Sequence, residues 1–164
     1  MNYFLLNLLL ALTWAALTGG FTPANFLVGF GLGFIALQVA KLSLGHTDYF
    51  RKVPRTLALV AFFLVEMFIA NLRVAADVLS PRWRIRPRVL AIPLDAESDL
   101  EITLLANMAS LTPGSLSLDV SSDRRVLYIH AMYAEDAEKV RRQLKDGFER
   151  RLLGIMRGEP KEEK

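Results

Sequence analysis

Lys41 is the only charged side chain in the first 44 residues of this 164-residue chain. A stretch so poor in charge cannot carry a water-facing surface, but it suits the hydrocarbon core of a bilayer, which a helix of about 20 apolar residues crosses. From Arg82 onward the pattern reverses, with 15 basic and 14 acidic residues in an ordinary soluble balance. The chain therefore reads as two physical objects in series, one for lipid and one for water.

Three apolar segments fit or nearly fit the span length of about 17–25 residues. They cover residues 1–18, 25–44 and 57–79 within an expected transmembrane domain 1–81. Tyr3 and Trp14 sit where interfacial anchors belong, and Gly19, Gly20 and Pro23 break the chain between the first two segments. Pro54 suits the start of the third. The N-terminus has the length of a secretion signal, but no Lys or Arg precedes its apolar run, so an uncleaved first span is the better reading.

Topology is where the residues disagree. Lys41, Arg51, Lys52 and Arg55 precede the third segment, whereas Arg82, Arg84, Arg86 and Arg88 follow it. The positive-inside rule wants both groups in the cytoplasm, yet a spanning third helix separates them. Weight given to the arginine cluster beside the charged domain puts the C-terminus in the cytoplasm and the 45–56 loop outside. The alternative is a first pair of segments that forms a short hairpin without fully crossing. The four arginines form a basic juxtamembrane linker, 82–88, suited to topology and anionic headgroups. Elsewhere bases alternate with acids, which argues against nucleic acid as a partner despite the net charge of +3.

Within the apolar half, Gly29 and Gly33 have the spacing that lets another helix approach closely. In the third segment Glu66, Arg73 and Asp77 fall within a ~40° arc at about 100° per residue, with Asn71 well round the helix. A bare carboxylate in mid-span is costly, so Glu66 is expected to be protonated, paired, or turned towards protein or water. It either flanks an ion path or docks the helix against a neighbour. Arg73 and Asp77, four apart, are expected to pair with each other.

The charged half, 89–157, reads as a small cytoplasmic α+β domain in the order β-α-β-β-α, followed by a tail, 158–164, expected to be disordered. Val89–Leu94 is a short strand. Ser98 and Glu101 form a capping box that opens a helix, and Thr112-Pro113-Gly114 closes it near Leu111. Residues 115–121 alternate, with Leu116, Leu118 and Val120 expected inward and Ser117 and Asp119 outward. A return strand over 125–132 places Leu127, Ile129 and Ala131 inward and Tyr128 and His130 outward. A final helix over 135–156 carries the stripe Ala137, Val140, Leu144, Phe148, Leu152 and Ile155.

The sequence shows no catalytic constellation. His46 and His130 are the only histidines and there is no cysteine, too little for a metal site of either type. No phosphate loop or nucleophile elbow is present. No cofactor is expected.

The segments LLANMASLTPGSLSLDVS (104–121) and LYIHAM (127–132), with Glu66, Asn71, Arg73 and Pro81, strongly resemble the E-type component of Mrp-type (Mnh or Pha) multisubunit Na+/H+ antiporters. Tyr133 stands where that family leads one to expect an acidic residue. The resemblance implies a bacterial plasma-membrane complex of several different subunits that exchanges Na+ or another monovalent cation for protons. This chain would be a small multi-pass partner needed for assembly and full activity, with the other subunits and membrane lipid as its partners. It also implies that Asn107, Thr112, Pro113 and Gly114 are the cytoplasmic signature. Two other readings compete: a membrane-anchored module that recruits a soluble protein, and a self-contained small transporter, for which three spans with one central carboxylate leave little room.

Overall fold

A computed structural model describes residues 3–44, 48–80 and 85–157. Arg82, Arg84, His46, Pro81 and the tail expected to be disordered lie outside them. The chain forms two compact units, Met1–Pro54 and Arg55–Lys164. The division falls inside the third helix, whereas residue patterning puts it near residue 81.

The first unit holds α1 (Tyr3–Leu17), α2 (Pro23–Leu44) and the beginning of α3 (Tyr49–Leu79). Gly19, at φ +66°, turns the chain between α1 and α2. The turn is then tied by Asn25, which accepts from Trp14 Nε1 at 3.0 Å and donates to Thr18 Oγ1 at 2.6 Å. α1 and α2 pack tightly because of the two glycines. A Cβ on Gly29 would lie 2.9 Å from Trp14 Cβ, and one on Gly33 would strike the Asn7 side chain. The helix that approaches them is thus α1 of the same chain. Asn7 is fully buried and donates to Tyr49 Oη at 2.7 Å, while its Oδ1 has no partner. By length and composition, two helices are apolar enough to cross a membrane, α2 over Pro23–Ala40 and α3 over Tyr49–Leu79. α1 has 15 residues, shorter than the 1–18 span expected for it.

The second unit is the α+β domain together with most of α3. Strands β1 (Arg88–Pro93), β2 (Ser115–Val120) and β3 (Val126–Ala131) form an antiparallel sheet in the order β1-β3-β2. One face is covered by α4 (Asp99–Leu111) and by a long helical run made of α5 (Ala137–Arg142), a π-helical segment (Gln143–Glu149) and α6 (Arg150–Met156). The core joins Leu90, Ile92, Leu127 and Ile129 of the sheet to Leu105, Leu144, Phe148 and Leu152 of the helices. Leu59 of α3 belongs to the same core, and Phe62 and Phe63 pack against it.

Two expectations need correction. The final helix is not a plain α-helix, because its middle widens into π geometry where Gly147 meets Phe62. A Cβ there would lie 3.1 Å from the ring, so the glycine admits the close contact. In β2 the facing is reversed over its first half. Leu116 and Leu118 are exposed on the outer face, and Ser115 and Ser117 point inward. Their hydroxyls donate to Ala109 O at 2.7 Å and Ala106 O at 2.9 Å, near the C-terminal end of α4. Ala109 O also accepts from Thr112 N at 3.3 Å, so the serine hydroxyls are second donors that pin β2 to α4. A register shift between Ser117 and Asp119 then returns Val120 to the core side.

Candidate functional site

The structure gathers two groups of residues that are far apart in sequence. The polar arc of α3 and the turn after α4 line one cleft, which encloses about 80 Å³. Glu66, Arg73, Thr112, Pro113, Gly114 and Tyr133 all border it, with Gln143 from the π-helical segment. The pieces are placed by local rules. Ser98 accepts from Glu101 N at 3.3 Å, and Glu101 Oε2 accepts from Ser98 N at 3.1 Å, completing the capping box that starts α4. At the other end Thr112 Oγ1 donates to Met108 O at 2.9 Å. Gly114, at φ +90°, then reverses the chain into β2.

Glu66 is half-buried, and its Oε2 accepts from Gln143 Nε2 at 2.6 Å. Arg73 does not pair with Asp77: among the described residues no such ion pair forms. Its guanidinium lies 5.6 Å from the centre of the Tyr133 ring, a stacked cation–π arrangement. Asp77 turns to the Tyr133 phenol, whose pKa is raised first by burial and then by that carboxylate. Neither Asp77 Oδ2 nor Tyr133 Oη completes a well-formed hydrogen bond. Gly114 lies under the same ring, since a Cβ on it would sit 3.0 Å from Tyr133 Cε2. Asn107 is apart from this cluster, exposed on α4. Arg86 bridges the backbone of Tyr133, and Arg88 opens β1.

A second constellation escaped the sequence reading. Glu149 is 1% exposed, and its Oε1 accepts from Asp95 N at 2.7 Å and Ala96 N at 2.9 Å. Lys145 Nζ lies 2.7 Å from both Glu149 Oε2 and Asp95 Oδ2. Beside it Glu101, also buried, receives Arg157 Nε at 2.7 Å and Arg157 Nη2 at 2.6 Å. Together these ions fasten the loop after β1 and the start of α4 to the C-terminal helix. The available signal was Glu149 sitting next to Phe148 on an otherwise apolar stripe, four residues after Lys145.

The Arg157 guanidinium outweighs burial and holds the Glu101 carboxyl down from an ordinary 4.5 to about 2. A carboxylate whose folded pKa is depressed stabilises the fold fully above its unfolded pKa and loses that contribution as pH falls through the folded one. The domain should therefore lose stability between about pH 4.5 and pH 2. Glu101→Gln should flatten that slope in acid titrations followed by circular dichroism.

Among the described residues no group of three His, Asp or Glu side chains is placed to hold a metal ion. The arrangement is one of docking, with an α+β domain covering the polar face of a long apolar helix. The other unit is a glycine-packed apolar hairpin. That combination, with two helices long and apolar enough to cross a bilayer, suits a protein of the membrane. The family model described as Na+/H+ ion antiporter subunit matches residues 7–155. The E component of the Na(+)/H(+) antiporter of Alkalihalophilus pseudofirmus is 38% identical over 92% of this chain and 96% of its own length. That of Bacillus subtilis is 37% identical over 93% and 97%. The chain belongs to the E family of Na+/H+ antiporter subunits. A chain of the archaeal membrane-bound sulfane sulfur reductase, a respiratory membrane complex, superposes with a TM-score of 0.56 at 26% identity, over 93% of this chain and 98% of that one.

Proposed function

We propose that this chain is an accessory subunit of a multisubunit monovalent-cation/proton antiporter, a transport component rather than an enzyme, with its α+β domain on the cytoplasmic side of the plasma membrane. Its partners are the other subunits of the complex, which carry Na+ and H+. Family membership over nearly the whole chain supports the complex. The observation that carries the accessory role is the fate of Glu66. The one acidic group in the middle of α3 is engaged by Gln143 of the same chain, and its neighbours Arg73 and Asp77 are turned to Tyr133. The polar arc is occupied by the chain's own domain, so it holds the domain on the helix and does not line an ion path.

Substitution at Glu66 separates the two roles. Glu66→Gln keeps an acceptor for Gln143 and should retain assembly and Na+/H+ exchange in everted vesicles. Glu66→Ala removes the solvent-exposed hydrogen bond to Gln143, costs about 0.5–1.5 kcal/mol, and should lower the amount of assembled complex. Full assembly with exchange abolished in Glu66→Gln would place the carboxylate in the transport path instead.

A further inference from the structure

The way α3 is covered bears on how it meets the bilayer. From Arg55 to Asp77 the helix runs about 33 Å at 1.5 Å per residue, close to the ~30 Å thickness of a hydrocarbon core. The α+β domain lies against it over that entire length. Arg55 Nη1 donates to Gly154 O at 3.2 Å, and the Phe62 ring packs 5.3 Å from that of Phe148. Further along come Glu66 with Gln143, then Arg73 and Asp77 with Tyr133.

A spanning α3 would carry this domain into the lipid with it. The helical run over α3 bears Lys139, Arg141, Lys145, Asp146 and Arg150, and β1 and β2 are the outer strands of an open sheet. Hydrocarbon does not admit open sheet edges, because no water is there to satisfy their backbone groups. This packing and a transmembrane α3 exclude each other.

The side of α3 turned away from the domain is apolar except for Asn71, whose amide donates to Met67 O of the same helix at 2.8 Å. Leu57, Val60, Leu64, Phe68, Leu72 and Leu79 are all exposed there, with no charge among them. Basic side chains stand at the ends of the helix. Arg51 (paired with Asp48), Lys52 and Arg55 lie at the start, where Arg55 shares a groove with Arg150, Arg151 and the carboxylates of Asp95 and Asp146, and Arg86 and Arg88 come after its end.

We propose that α3 does not cross the membrane but lies along its cytoplasmic surface. Its Leu57–Leu64–Phe68–Leu72 face enters the acyl region of an anionic leaflet, the α+β domain stands on the water side, and the terminal basic residues meet the headgroups. A one-sided helix with charge at its margins is the form that interfacial helices take, sunk about 5–10 Å below the headgroups. This orientation removes the charge conflict in the sequence. Both basic groups, before and after α3, then share the cytoplasmic side as the positive-inside rule requires. The proposal departs from the expectation of three spans and rests on the reading of the chain as a membrane subunit.

The chain contains no cysteine, so single replacements give one reactive site each. Asp48→Cys, just before α3, and Asp119→Cys, on β2, would be exposed to a membrane-impermeant maleimide in right-side-out and inverted vesicles, with labelling read on the isolated subunit. Both sites should react in inverted vesicles, and both should lose reactivity in right-side-out ones. Reaction of Asp48→Cys from outside and Asp119→Cys from inside would overturn the proposal while leaving the subunit in the membrane. Spin labels at Leu57→Cys, Leu64→Cys and Leu72→Cys supply a second measure. Equal, shallow depths support the in-plane helix, and a maximum depth at Leu64 flanked by shallow ends overturns it. Release of the wild-type chain by alkaline washing would overturn the membrane-subunit reading itself.

Discussion

Phe148→Ala should lower the stability of the α+β unit by about 3–5 kcal/mol, the usual cost of deleting a buried aromatic ring. The residue is 3% exposed and stands where three layers meet. It packs edge-on against Phe62 at 5.3 Å and Phe63 at 6.4 Å between ring centres, and it shares the core with Leu127 and Ile129 of the sheet. A domain of this size has total stability of roughly 5–15 kcal/mol, so the loss is a large share. Thermal unfolding of the purified full chain in detergent, followed by near-ultraviolet circular dichroism, should shift down by well over about 10 °C. Phe148→Leu, which keeps most of the volume, should shift far less. An unchanged midpoint for Phe148→Ala would mean that the ring is not part of the core joining α3, the sheet and the C-terminal helix.

Gly114→Val should be the most damaging change in the turn after α4. At φ +90° a β-branched residue is strained, at roughly 1–3 kcal/mol, and its Cβ would also press on the Tyr133 ring from 3.0 Å. Tyr133 in turn holds Arg73 and Asp77 of α3, so displacement of the ring loosens the far end of the helix from the domain. Native gels of solubilised membranes should show less of this chain in the assembled complex, and exchange activity should fall in the same proportion. Gly114→Ala, smaller but equally barred from that φ, should give a milder version of both losses. Normal assembly with abolished exchange would instead make the turn part of the transport machinery.

Much of this was legible in the residues because it depends on local rules. The capping box at Ser98 and Glu101, the stop at Thr112-Pro113-Gly114 and the stripe Leu144–Phe148–Leu152 each follow from neighbours on the chain. The arc of Glu66, Arg73 and Asp77 was also readable, since helical geometry alone puts them on one side. What filled that arc was not, because Gln143 and Tyr133 come from sequence far away. The alternation in β2 announced a strand but not which side faced inward. Apolar content argued for the leucines, whereas in the fold Ser115 and Ser117 face α4 and donate to the carbonyls of Ala109 and Ala106. Glu149 was missed for a related reason, as its partners are backbone amides of Asp95 and Ala96 that only the fold brings near.

An affinity tag on this chain, followed by purification from gently solubilised bacterial membranes, puts the central claim at direct risk. The tagged chain should elute with several larger polytopic membrane proteins in fixed ratio, and vesicles from cells lacking it should lose Na+/H+ exchange. Elution alone or with a soluble protein, together with undiminished exchange in those vesicles, would contradict it.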